Sequence, residues 1–113
     1  GPDHPNVAIL LSNLANVLSD LGGEENLKAA RAALERALKM GEAAHGPDHP
    51  KVGIRCGLIA RISVSFRGEE NLVFAREIAQ RAVDVHEKLL GVDHPYSATS
   101  RSIRDQMLLG HAP

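Results

Sequence analysis

The sequence predicts an all-α fold of about five helices arranged as repeated pairs. Three observations carry that prediction. Apolar residues recur at spacings of three and four, the period of one helix face. Nowhere do they alternate as a half-buried strand requires. The pentapeptide Gly1-Pro2-Asp3-His4-Pro5 returns as Gly46-Pro47-Asp48-His49-Pro50 and then as Gly91-Val92-Asp93-His94-Pro95, each time 45 residues on. A second marker keeps the same step, because Gly23-Glu24-Glu25-Asn26-Leu27 returns as Gly68-Glu69-Glu70-Asn71-Leu72. Aligned at that offset, residues 1–45 and 46–90 share 18 identities. Self-similarity at a fixed period marks a repeat architecture. Residues 1–113 therefore read as a single domain: repeat one over 1–45, repeat two over 46–90, and a half repeat or capping helix over 91–113.

In repeat one the first helix starts after Asp3-His4-Pro5 and carries Val7, Leu10, Leu11, Leu14, Val17, Leu18 and Leu21 as its apolar stripe. Gly22-Gly23 breaks it. The second helix carries Leu27, Ala30, Ala33, Leu34, Ala37 and Leu38, with Glu24 and Glu35 each four residues ahead of a lysine, the favoured order. Gly46 followed by Pro47 stops it. In repeat two, Val52, Cys56, Ile59, Ile62 and Phe66 mark the first helix, and Leu72, Ala75, Ile78, Ala79, Ala82, Val83 and Leu89 the second. One more helix runs from about Pro95 to Leu109, with Ala98, Ile103, Met107 and Leu108 as a weaker stripe. The pentapeptide is the corner between repeats. Its glycine closes one helix, its aspartate is the expected N-cap, and its last proline suits a first helical turn.

Composition narrows the function classes. The 113 residues suit one domain, with 43% apolar residues for a core and 24% charged residues. Thirteen Lys+Arg against 14 Asp+Glu leave a net charge of −1, so no basic footprint for nucleic acid is present. The longest apolar run is far short of a bilayer span and no signal peptide opens the chain, which predicts no membrane partner and a cytoplasmic location. Cys56 stands alone, which excludes an intramolecular disulfide and fits a reducing compartment. Aromatics are 3% and tryptophan is absent, so a binding anchor is expected to be aliphatic, polar or charged.

Asn-Leu-Ala in the first helix and Ala-x3-Leu-x2-Ala in the second resemble the tetratricopeptide repeat. The matching residues are Leu14, Ala15, Leu18, Ala30, Leu34 and Ala37 in the first copy, and Ile59, Ala60, Ala75, Ala79 and Ala82 in the second. With its corner pentapeptide the chain is similar to the long-repeat subclass of kinesin light chains and of the arrays attached to bacterial and fungal NTPase switch proteins. The resemblance implies a superhelix of antiparallel helix pairs, a tetratricopeptide-like solenoid whose first helices line a concave face. Three departures stand out. The Gly23-Glu24-Glu25-Asn26 turn is long, Ser63 replaces the large apolar Leu18 of the first copy, and Arg104-Asp105 fall where Leu14-Ala15 stand. The last predicts a helix that shifts register or caps the array.

The resemblance implies a non-catalytic module that binds a peptide segment or partner helix on the concave face. Leu11, Leu14, Ala15 and Leu18 are expected to pack inward, leaving Ser12, Asn13, Asn16 and Ser19 on the open arc. The positions 45 residues on are Gly57, Leu58, Arg61 and Val64, and one repeat later Ser102, Ile103 and Gln106. Asn pairs with an extended backbone, and Arg grips a carboxylate with two parallel hydrogen bonds. The family's carboxylate sites use the same residue types, which makes Ser12, Asn13, Asn16, Arg61 and Gln106 the candidate peptide-binding residues. Against these stands a plain solvated polar face. The rival function is structural, with array ends that expose apolar surface and self-associate as a homodimer, within a larger switch or scaffold protein of which the chain is a fragment.

Chemical readings are weaker. His45 and His49 are four apart, the spacing of a helical zinc pair, but Gly46-Pro47 intervenes. His4, His49 and His94 recur at corners one repeat apart, too far for one metal ion. Cys56 lies in an apolar stripe and reads as a small buried hydrophobe rather than a nucleophile. No phosphate loop, acid–base carboxylate pair or serine elbow is present. No catalytic residue, metal or cofactor is therefore expected. Arg31, Arg36, Arg76 and Arg81 are read as a solvated convex face, with an acidic partner as the alternative.

Overall fold

Helix-forming runs separated by glycine and proline give five α-helices in the computed structural model, which describes residues 5–109. They are α1 (Pro5–Leu21), α2 (Glu24–His45), α3 (Pro50–Ser63), α4 (Glu69–Leu90) and α5 (Pro95–Leu108). Among the described residues there is no strand. The fold is all-α, as the periodicity predicts. Each helix packs on the next in sequence, and α3 also touches α5. The two-residue link Gly22-Gly23 leaves α2 no course but back along α1.

The second helices are closely alike. Both α2 and α4 have 22 residues, two glutamates in the first turn, and a glycine with positive φ immediately after the last residue. The glutamates suit the positive end of the helix dipole. The first helices differ in their ends. Gly22 takes φ 73° and donates its N–H to Leu18 O at 3.2 Å, so α1 reaches Leu21. Arg67 stands 45 residues on, where such a φ is costly. The chain there leaves the α-helix early, through tight turns from Ser65 N to Ile62 O and from Phe66 N to Ser63 O.

At the corners the expected aspartate cap is replaced by histidine. His49 Nδ1 accepts from Lys51 N at 3.1 Å, and His94 Nδ1 accepts from Tyr96 N at 3.0 Å. The helices begin at the prolines, which places His at the N-cap and Asp one residue too far out. Asp48 instead accepts from Lys88 Nζ at 2.7 Å. The first corner, with His4, lies outside the described residues.

Small residues bring the helices close. Ala30, Leu34 and Ala37 of α2, and Ala75, Ala79 and Ala82 of α4, are at most 1% exposed. With Val52, Cys56, Ile59, Ala60 and Met107 they fill the centre of the stack. Leu14 departs from expectation. It was expected inward but is 49% exposed, while Ala8 and Ala15 are buried. α2 covers α1 on one side only, so the outward half of a wide apolar helix stays bare. α5 keeps register despite Arg104-Asp105. Ile103 and Met107 are buried, and Arg104 Nε donates to Asp105 Oδ1 at 3.1 Å on the outer side.

The joints between repeats match large side chains to small ones. In the first, the buried Arg55 guanidinium of α3 lies against Gly41 of α2. In the second, His86 of α4 holds the place equivalent to Gly41, and Ser100 of α5 the place equivalent to Arg55. The Ser100 hydroxyl donates to His86 Nδ1 at 2.6 Å, and His86 Nε2 donates to Pro50 O at 2.9 Å. Gly53 lets the imidazole lie on the α3 backbone, where any Cβ would collide with the ring. Three of the four arginines expected on a solvated face reach across joints. Arg31 stacks on Phe66, Arg76 Nε donates to Met107 O at 3.0 Å, and Arg81 pairs with Glu42 at 3.2 Å.

Candidate binding groove

α1, α3 and α5 share one side of the molecule, and two adjoining hollows lie along it. The first, about 280 Å³, lies between α1 and α3 and is lined by Asn16, Ser19, Asp20, Leu58, Arg61 and Ser65, together with Leu27, Leu34 and Ile62. The second, about 250 Å³, lies between α3 and α5. Its walls are Ile54, Leu58 and Arg61 on α3 and Tyr96, Thr99 and Ile103 on α5. Gly53 and Gly57 keep α3 narrow there, and His86 forms part of the lining.

Spacing on α3 creates this arrangement. Ile54, Leu58 and Arg61 fall at i, i+4 and i+7, hence on one helix face. Leu58 and Arg61 line both hollows, so the two adjoin there. The first hollow mixes polar and apolar residues and the second is mostly apolar, with Arg61 lining both. Arg61 is exposed, and among the described residues neither it nor Asp20 makes an ion pair. A free guanidinium beside an apolar hollow can take a carboxylate while a neighbouring side chain is buried.

Of the five residues singled out from sequence, the structure brings Asn16 and Arg61 to one hollow. Ser12 is committed elsewhere. Its hydroxyl donates to Ala8 O at 3.0 Å and accepts from Arg55 Nε at 3.2 Å. Asn13 is exposed and Gln106 half-buried, and neither lines these two hollows. Sequence reasoning missed Ile54, Tyr96, Thr99 and Asp20. Ile54 was detectable as an apolar residue outside the buried stripe, one turn before Leu58. Tyr96 is the chain's single tyrosine and lies 45% exposed at the rim, so an aromatic anchor is available after all.

The remaining chemistry-bearing groups are structural in their surroundings. The Cys56 thiol is fully buried, and desolvation pushes its pKa up to about 11, which holds it as a neutral thiol. The His45 and His49 rings stack at 4.6 Å rather than converging on a point. Among the described residues no group of three or more His, Cys, Asp or Glu is placed to hold a metal ion, and no helix is long and apolar enough to cross a membrane. A further depression, at the loop edge, contains Lys28, Arg31 and Arg67, but Lys28 lies 3.6 Å from Glu24, and Arg31 lies over Phe66 and 3.9 Å from Glu35.

The sequence profile of the tetratricopeptide repeat matches residues 7–51 and 75–96, more than half of the chain. A comparison with curated proteins finds no match.

Proposed function

Because the chain belongs to the tetratricopeptide repeat family, whose members are generally protein-interaction modules, we propose that it binds, without catalysis, an extended peptide segment along α1, α3 and α5. Arg61 receives a carboxylate of that segment. Asn16 pairs with its backbone, and the hollow between Ile54, Leu58, Tyr96 and Ile103 takes an apolar side chain beside the acidic one. The observation that carries this reading is Arg61: exposed, without an ion-pair partner among the described residues, and lining both a hollow of mixed polarity and a mostly apolar one. The recurring Gly-Pro-Asp-His-Pro corner supports membership of the long-repeat subclass that kinesin light chains represent.

The test is a peptide array probed with the whole chain, followed by anisotropy titrations of the sequences retained. Peptides that pair an acidic with a neighbouring aliphatic or aromatic residue are expected to bind. Arg61→Ala then weakens binding about tenfold or more, the cost of removing a charge-assisted bidentate contact. Equal affinity of the variant removes Arg61 from the site and this reading with it.

A further inference from the structure

One charged side chain is taken into the interior with no counter-charge beside it. Arg55 of α3 is 5% exposed. Its one hydrogen-bond partner among the described residues is neutral, the Ser12 hydroxyl at 3.2 Å from Nε. No carboxylate among the described residues lies within ion-pair distance of it. Half-buried arginines elsewhere do find carboxylates: Arg81 lies 3.2 Å from Glu42, and Arg101 2.8 Å from Glu87. A buried ion is costly unless a counter-charge and hydrogen bonds offset the water it loses, and a guanidinium brings five N–H donors. The size match at Gly41 explains a long side chain at this place but not a charged one.

A narrow cleft of about 10 Å³ reaches the guanidinium where three helices meet. It lies between Ala8 and Ile9 of α1, Gly41 and His45 of α2, and Lys51 and Arg55 of α3. That is room for about one water-sized atom. Arg55 is buried at this cleft, whereas His45 and Lys51 are exposed. Lys51 stands one turn before Arg55 on the same helix face and makes no ion pair among the described residues. The His49 ring stacks on His45 at 4.6 Å. The charges that lower the pKa of His49 are those of His45, Lys51 and Arg55, all positive. The only acids between Gly41 and Arg55 are Glu42 and Asp48, and Arg81 and Lys88 already hold them.

We propose that this cleft receives a phosphate monoester, one oxygen entering to meet the Arg55 guanidinium and the others remaining outside with Lys51 and His45. Charge and shape favour phosphate over carboxylate. Arg55 and Lys51 supply two positive charges, and a phosphomonoester carries close to two negative ones near neutral pH. A cleft with room for one oxygen leaves the rest of a tetrahedral anion to the exposed groups around it. The site shares no residue with the two hollows at Arg61, so it stands independently of the peptide-binding reading.

The test uses the whole chain at pH 7.5 and constant ionic strength. The probes are inorganic phosphate and a short peptide bearing one phosphoserine, beside its unmodified form. Phosphate is expected to shift the amide signals of His45, Lys51 and Arg55 saturably in proton–nitrogen spectra. At about ten times its Kd it raises the thermal midpoint by about 5 °C. Lys51→Gln, an exposed change, weakens binding about tenfold. Arg55→Met keeps a long side chain without the charge. It abolishes saturable binding and, without phosphate, melts at or above the parent's midpoint. Tighter binding of the phosphopeptide than of phosphate makes a phosphorylated protein segment the source, and binding of phosphate alone makes it a free small molecule. No saturable shift with either probe, or the same response in the parent and Arg55→Met, overturns the inference. So do Arg55→Met and Asp3→Asn chains that both melt well below the parent without phosphate, since a carboxylate of the chain itself then balances the guanidinium.

Discussion

Protonation of one side chain, His49, removes a helix cap. Its Nδ1 lone pair accepts the Lys51 N–H, and an imidazolium has no lone pair to offer. Burial, and then the positive fields of His45, Lys51 and Arg55, lower its pKa below the usual 6.5. As pH falls, the unfolded chain therefore takes up this proton first. The contribution of His49 to stability is full above pH 6.5 and declines from there until the pH passes the lowered folded value. Thermal midpoints taken from pH 8 to pH 5 are expected to fall less steeply in His49→Asn than in the parent, because Asn caps without titrating. Parallel curves would show that the cap does not titrate in this window. Ser63 tests the opposite situation. It is fully buried, its hydroxyl has no hydrogen-bond partner among the described residues, and it holds the place of Leu18. Ser63→Ala removes an unsatisfied polar group and is expected to be neutral or to stabilise by about 1 kcal/mol in denaturant titrations. A clear loss would mean that the hydroxyl has a partner.

At the scale of elements, the recurring Gly-Glu-Glu-Asn-Leu marker has a physical function. Asn26 Nδ2 donates to Gly22 O at 2.8 Å, and Asn71 Nδ2 donates to Arg67 O at 2.8 Å. Each asparagine reaches back four residues and satisfies a carbonyl that the preceding turn leaves free. Asn26→Ala and Asn71→Ala are each expected to cost about 0.5–1.5 kcal/mol, measured by urea unfolding. Two variants that lose nothing would leave the marker without a structural role. The five helices and their order were legible in the sequence because period, glycine stops and proline starts all agree. Which residue caps α3 was not, because Asp48 and His49 are both competent acceptors and only the helix's starting residue decides between them. Leu14 was misplaced for a related reason: a stripe shows which residues are apolar, but not which neighbours cover them. The groove was half legible. Equivalent positions gave Asn16 and Arg61, whereas Ser12 is held by the buried Arg55, a pairing of residues 43 apart that no local pattern displays.

The whole molecule behaves as a short row of joints, each depending on its own size match. Gly53→Ala places a methyl group against the His86 ring, which Ser100 and Pro50 hold in place, and is expected to cost about 1–3 kcal/mol. Because α3, α4 and α5 all meet at that ring, the loss should appear as one cooperative transition at lower denaturant, not as fraying of α5 alone. The groove lies across the same joints, which fix Arg61 between its two hollows. The most direct test of that arrangement is a proton–nitrogen correlation spectrum of the whole chain, titrated with an acidic, apolar peptide retained by the array. The proposed binding mode predicts shifts concentrated at Asn16, Ile54, Leu58, Arg61, Tyr96 and Ile103 across all three first helices. Shifts confined to the outer surfaces of α2 and α4, with those six signals unmoved, would contradict it.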